Sequence, residues 1–185
     1  MAGQRNANSS PIAERLRASF RSVDQMSDPS AWWADAGILG ELGPALADLY
    51  RDESPTVVVG IEARGFVIGP LAALALGVGF AEIRKNVHPD IARERLIRRT
   101  APPDYLDRSI TLTLRPNLLQ PRDRVLLVDD WIETGANATA VRDIVIDAEA
   151  SWIGVAVVVD ALPSGTRHQL GVRSLIRSAS LPWHQ

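Results

Sequence analysis

The sequence predicts an α/β fold: a parallel β-sheet flanked by helices on both faces. Three observations carry that expectation. Runs of β-branched and aliphatic residues, TVVVGI (56–61), RVLLVDD (124–130) and WIGVAVVVDAL (152–162), read as strands buried on both sides. Helical patterns separate the runs, as at 66–76 and 137–150. Charge then gathers at three strand ends, with Glu62 and Arg64 after the first run, Arg84-Lys85 after VGFAEI (78–83) and Asp129-Asp130 closing RVLLVDD. Ligands of open α/β sheets bind at the carboxyl ends of strands, so these charges point to one shared site.

Taken in order, PIAERLRASFRSVD (11–24) places Ile12, Leu16, Phe20 and Val23 near helical spacing, with Pro11 at the first turn and Ser10 as N-cap. GILGELGPALADLYRD (37–52) repeats the pattern through Leu42, Leu46 and Leu49. After the strand at 56–61, a buried helix over 66–76 is closed by Gly77, and 78–83 forms the next strand. Residues 86–108 are rich in Arg and Pro and lack periodicity. So long an irregular segment in a compact domain reads as a lid or arm, or as a solvated basic loop; RERLIRR (93–99) would give a lid four arginines. SITLTL (109–114) alternates like a half-exposed strand. The helix over 137–150 collects Ala138, Val141, Ile144, Val145 and Ala148 on one side, and VRSLIRSA (172–179) is the last strand. The expected organisation is one domain over 1–185, with N-terminal helices forming a small hood over 1–54 and a core over 55–180.

Composition narrows the function classes. A net charge of −2 argues against a general nucleic-acid binder. With no cysteine, disulfides, zinc-thiolate sites and cysteine nucleophiles are excluded, and a cytoplasmic setting is expected. The start, MAGQRNANSS, lacks the apolar stretch of a signal peptide. FVIGPLAALALGVGF (66–80) is too short and too glycine-broken for a bilayer, which needs about 20 residues, so no membrane partner is expected.

The stretch VLLVDDWIETGAN (125–137) carries the chemistry. A strand runs into two carboxylates and then a small-residue loop that opens a helix. Backbone N–H groups at a helix N-terminus form an anion site. Asp129 and Asp130 only accept hydrogen bonds, so they repel phosphate but suit sugar hydroxyls. A phosphate cradle beside a diol acceptor describes a ribose 5-phosphate site; a solvated acidic turn is the plainer alternative.

This stretch closely resembles the phosphoribosyl-diphosphate (PRPP) signature of type I phosphoribosyltransferases: four apolar residues, two acidic ones, a short variable spacer, Thr-Gly and a small-residue loop. VVVGIEARGFVIGPLAALALGVGFAEIRK (57–85) is similar to the adenine group of that family, as is VVVDALPSGTRHQL, and the likeness covers roughly 55–180. The resemblance implies a type I phosphoribosyltransferase-like fold with a hood and a flexible lid. It implies transfer of the 5-phosphoribosyl group from PRPP to a nucleobase in purine salvage, with Mg²⁺ as cofactor and a homodimer as the assembly. By the same resemblance Ala63, Arg64 and Gly65 hold the diphosphate in a loop with a cis non-proline peptide, joined by Arg84 and Lys85. Asp129 and Asp130 bind the ribose hydroxyls, and Glu133, Thr134, Gly135, Ala136 and Asn137 cradle the 5-phosphate. Arg64, Lys85 and Glu133 are the expected catalytic residues, while which protein atoms hold the metal stays open.

Three departures bear on the base. Glu133 stands directly before Thr134, where adenine enzymes place small or neutral residues and where hypoxanthine-guanine enzymes place an acid. It is a general base, an acceptor orienting the base, or an exposed loop carboxylate. The Phe-Arg-Asp stretch of adenine enzymes has no counterpart in GILGELGPAL, and the lid glutamate is answered only by Asp104 or Asp107. These departures shift the expectation toward an oxopurine or another non-adenine base. Trp131 and Ile132 are the base-pocket candidates, Trp131 either as a wall for an aromatic ring or as packing. Trp32-Trp33 is helix packing or a dimer contact. A PRPP-sensing regulator without catalysis is the alternative from another class.

Overall fold

The computed structural model describes residues 7–23, 26–85, 96–102 and 109–183. Helix α1 (Pro11–Ala18) starts as the sequence predicts, the Ser10 hydroxyl accepting from the Ala13 N–H at 3.3 Å. It ends earlier than expected. Ser19 caps it, donating both its N–H and its hydroxyl to the Arg15 carbonyl, and Arg21–Val23 (β1) pairs antiparallel with Met26–Asp28 (β2) instead of continuing the helix. Two helices follow, the short α2 (Ser30–Ala34) and the longer α3 (Ala36–Asp48), the latter capped by the Asp35 carboxylate on the Ile38 N–H.

The sheet then forms from β3 (Val57–Ile61), β4 (Gly79–Lys85), β5 (Ile97–Ala101), β6 (Ile110–Leu114), β7 (Arg124–Ile132), β8 (Ser151–Asp160) and β9 (Val172–Arg177), with α4 (Gly65–Leu76), α5 (Ala136–Asp147) and α6 (Ser164–Leu170) in the connections. Strand order is β5-β6-β4-β3-β7-β8-β9. The stretch β4-β3-β7-β8-β9 is parallel, and β6 and β5 extend it antiparallel. Most strands were legible because they are buried on both faces. In β7, Leu126 and Val128 join the core under α3 and α4, while Val125 and Leu127 join the core under α5, the alternation that a pleated strand imposes.

Two expectations need correction. The segment 86–108 is not irregular throughout: Ile97–Ala101 is a strand, with Ile97 and Ala101 turned to the core and the Arg99 guanidinium 2.5 Å from Asp147 of α5. The rest of the lid expectation, with Asp104 and Asp107, falls at 86–95 and 103–108, outside the described residues. Strand β7 does not stop at the aspartates but runs on to Ile132, which pairs with Asp160. Of the two readings of the Trp32-Trp33 pair, Trp32 takes the packing one. It is buried, donates its Nε1 N–H to the Leu16 carbonyl at 3.1 Å, and belongs to the core that α1 and α3 share with the sheet. Among the described residues, no helix is long and apolar enough to cross a membrane.

Two close approaches fix the strand ends. A Cβ on Gly60 would lie 2.5 Å from the Gly65 carbonyl oxygen, so only glycine lets the start of α4 sit against β3. At Gly154, φ is 145° and a Cβ would meet the Tyr50 hydroxyl at 2.3 Å, beside the register shift between β7 and β8. Tyr50 donates to the Gly171 carbonyl, and burial pushes its phenol up to about 12.

Candidate active site

The carboxyl ends of β3, β4 and β7 bring the predicted residues together. Asp129 and Asp130 are consecutive at the end of β7, and their carboxyls lie close enough to interact. Asp129 lies on the α5 side, where it lines a cavity of about 210 Å³. Asp130 is buried, its Oδ2 3.0 Å from Nη1 of Arg64 at the start of α4. Burial and then the neighbouring Asp130 charge hold the Asp129 carboxyl well above its usual 3.8. The Asp130 N–H, donating to Asp129 Oδ1 at 3.0 Å, and the Lys85 ammonium pull it partly back.

The same cavity is closed by the loop that opens α5. Glu133, Thr134, Gly135, Ala136 and Asn137 line its mouth; Leu127, Val155 and Val157 form its apolar floor. Gly135 has φ +79°, a left-handed turn that suits glycine, and it precedes a 12-residue helix with no side-chain N-cap and no acidic residue in its first turn. Thr134 Oγ1 accepts from the Ala136 N–H at 3.2 Å. A helix start without a carboxylate cap leaves backbone N–H groups for an outside anion.

Across the sheet, the peptide Glu62-Ala63 is cis, within the loop where the sequence resemblance expects one. Ala63 and Arg64 are exposed and Gly65 is buried against β3. Glu62 ties the neighbouring strand ends, donating its N–H to the Ile83 carbonyl at 2.9 Å and accepting the Lys85 N–H at 3.0 Å. Lys85 thus converges with Asp129. Arg84, one residue earlier, turns to the other face: it pairs with Glu82 at 2.6 Å and lies 5.6 Å over the Phe66 ring.

Trp131 is half-buried and does two things. It lines the cavity, and its indole packs edge-on to Trp183 at 5.8 Å, which in turn packs on Phe20 at 5.1 Å. Ile132 is buried among the residues of the α5 side. Asp28, at the end of the β1–β2 hairpin, is held below the usual carboxylate range by the Ser30 hydroxyl and N–H, with Arg64 a weaker contributor. The hairpin therefore stands near the Arg64 end of the site.

One cluster was missed in the sequence. Asp160, at the end of β8, is buried with Arg167 Nε at 2.5 Å and Arg177 Nη1 at 3.0 Å from its Oδ2. The available signal was VVVD, a second buried strand that ends on a carboxylate, like β7. Among the described residues no group of three or more His, Cys, Asp or Glu is placed to hold a metal ion.

Comparison with known proteins agrees with this geometry. Residues 37–176 match the model of the phosphoribosyl transferase domain. The adenine phosphoribosyltransferase of Kineococcus radiotolerans is 32% identical over 177 residues, covering 90% of this chain and 93% of that one. That of Natranaerobius thermophilus is 33% identical over 139 residues, 74% of this chain and 77% of its own. Among solved structures, Saccharomyces cerevisiae adenine phosphoribosyltransferase, complexed with adenine and an imino-altritol bisphosphate, superimposes with a TM-score of 0.76 at 26% identity, over 89% of this chain and 98% of that one.

Proposed function

This chain belongs to the phosphoribosyl transferase family and is an enzyme of that kind, and from that premise we propose that it transfers the 5-phosphoribosyl group of PRPP to a purine-type base in salvage, adenine being the first candidate, with release of diphosphate. The observation that carries the reading is the convergence of Asp129 with the uncapped start of α5 around one cavity, with Arg64 and Lys85 at the adjoining strand ends.

In this reading the loop Thr134–Asn137, with Glu133, cradles the 5-phosphate through backbone N–H groups. Asp129 and Asp130, side by side at the end of β7, accept from the ribose hydroxyls. Ala63, Arg64, Gly65 and Lys85 receive the diphosphate, with Arg84 beside them. As the C1–oxygen bond breaks, its electron pair leaves with the diphosphate, and the cationic groups stabilise that charge. The base nitrogen supplies the pair for the new C1–N bond and gives up its proton, for which Glu133 is the nearest candidate acceptor. Trp131 and Ile132 border the space left for the base. The charge that develops at C1 would react as well with water, so the apolar floor would protect the transfer.

Magnesium fits the donors. A magnesium ion keeps waters and substrate phosphate oxygens and needs only one or two protein carboxylates, so the absence of an all-protein cluster among the described residues suits an ion that arrives on PRPP. Bound there, it would neutralise the departing diphosphate. The Asp129-Asp130 pair would offer it a protein carboxylate.

A second base reading rests on Glu133, an exposed carboxylate at the cavity mouth, which suits an oxopurine. The test is nucleotide formation from PRPP and Mg²⁺ with adenine, hypoxanthine, guanine and xanthine. Rapid turnover of adenine is expected. Preference for an oxopurine would favour the second reading, and PRPP binding with no product from any base would favour a regulator.

We read the assembly as a homodimer and the setting as the cytoplasm. Support for the first comes from α4, which leaves Leu74 78% and Val67 42% exposed at i and i+7. A helix apolar on this outer side as well as its inner one wants a second covering surface. Support for the second is the cysteine-free composition. The hood helices share a core with the sheet, which supports a single domain.

A further inference from the structure

We propose that Asp160, with Arg167 and Arg177, is a positioning cluster for the loop Thr134–Asn137 and so sets affinity for ligands that carry the 5-phosphate. The inference rests on the reading of that loop as the 5-phosphate cradle.

The cluster is built with more polar contacts than a fold needs at this place. Asp160 is 2% exposed. Its Oδ1 accepts the Leu162 N–H at 2.8 Å; its Oδ2 takes Arg167 Nε at 2.5 Å and Arg177 Nη1 at 3.0 Å. Arg167 also donates through Nη2 to the Leu162 carbonyl. Burying the Asp160 carboxylate under two partly exposed arginines costs desolvation, and apolar side chains of similar size would hold the turn as well. What the charged version adds is a turn with one geometry, because every partner has a fixed direction.

That turn is the underside of the loop. The Ala161 N–H donates to the Ile132 carbonyl at 2.9 Å, and Ile132 is in register with Asp160 across β7 and β8. Where a Cβ on Gly135 would stand, Thr166 Cγ2 and Leu170 Cδ1 lie 3.0 Å away and Leu162 Cδ2 lies 3.4 Å away. Gly135 therefore rests directly on the segment that Asp160 and Arg167 hold. A shift of the β8–α6 turn moves the residue whose left-handed conformation aims the first N–H groups of α5. The diphosphate loop at 63–65 is carried by β3 and α4, and β7 stands between β3 and the strand that carries Asp160, so the two halves of the site should respond differently.

The experiment titrates ribose 5-phosphate and, separately, magnesium diphosphate into the full chain by calorimetry. Wild type, Asp160→Asn and Arg167→Lys are compared well below their unfolding midpoints. We expect ribose 5-phosphate to bind about tenfold more weakly in both variants, since small misplacement of a positioning group has effects of that order or larger. Diphosphate affinity should stay within about twofold. In turnover, KM for PRPP should rise more than kcat falls. Unchanged ribose 5-phosphate affinity would overturn the proposal, and so would a parallel loss of both ligands, which marks general loosening. If Asp160→Asn does not fold, Arg167→Lys decides alone, because it keeps the charge and gives up the fork. If wild type binds diphosphate but not ribose 5-phosphate, the cradle reading itself fails and this inference with it.

Discussion

Burial and the adjacent Asp130 charge keep the Asp129 carboxyl above its usual 3.8, so ionising it works against the folded state. That penalty is absent below the unfolded value, grows as pH rises and is complete once pH passes the raised value. Asp129→Asn removes it. The variant should therefore melt above wild type at pH 8, with the gap closing as pH falls toward 4, while PRPP binding weakens by about 1.5–3 kcal/mol for the lost charge-assisted bond. Differential scanning across pH and calorimetry with PRPP and Mg²⁺ check the two halves. A variant that melts lower than wild type at pH 8 would contradict the assignment. Glu133 is the other residue-scale test. Its side chain is exposed and serves the base in the proposed reading, while its part in the 5-phosphate cradle is the backbone, so Glu133→Gln should leave PRPP affinity unchanged and lower turnover by about 10²-fold if the carboxylate takes the proton. The Asp-Asp pair and the Thr-Gly loop were readable because two carboxylates at the end of an apolar run have no packing purpose. Asp160 was not, since a single carboxylate before Ala-Leu-Pro looks like a turn until its two arginines are seen in space.

Elements were legible where burial is two-sided and obscure where it is slight. Strands β3, β7 and β8 bury nearly every residue, so their aliphatic runs stand out. Strand β5 buries only Ala101 fully and half-buries Ile97; its arginines lie between and hide the period of two. The first helix was read too long because Phe20 and Val23 continue its spacing, whereas the Ser19 cap and the β1–β2 pairing decide the backbone. The close contact of β3 with α4 gives an element-scale prediction. Gly60→Ala would place a Cβ 2.5 Å from the Gly65 oxygen and 2.9 Å from its carbon, both backbone atoms that cannot turn aside. The start of α4 must shift, at a cost of about 1–3 kcal/mol. Since that shift displaces the 62–64 loop, diphosphate affinity should fall together with the urea midpoint. A folded variant with wild-type diphosphate affinity would show that the loop tolerates the displacement.

For the molecule as a whole, the parallel core was predictable and the edge was not, because the antiparallel β6 and β5 follow the segment with the least periodic sequence. The site's position followed from topology, as three charged strand ends can meet only at one edge of a parallel sheet. The aromatic pair once suited to an interface is interior at Trp32, and the unpartnered apolar surface lies instead along α4. Leu74→Asp should therefore convert a dimer into a 20.1 kDa monomer in sedimentation at micromolar concentration, with little change in the folded core since Leu74 is 78% exposed. A wild-type chain that already sediments as a monomer would remove α4 as the contact.

The acidic pair at the end of β7 has a mechanical meaning. Asp129 lines the cavity that the start of α5 closes, and Asp130 is bonded to Arg64 at the start of α4. A ligand gripped by both is tied to the starts of the two helices at once and acts as a rivet between the layers they belong to. Amide hydrogens of α4 and α5 exchange with solvent through separate local openings when nothing joins the two layers. With PRPP seated, opening either layer would release the same rivet, so the slow amides of both helices should be protected together and by similar factors, although the helices lie on opposite sides of the molecule.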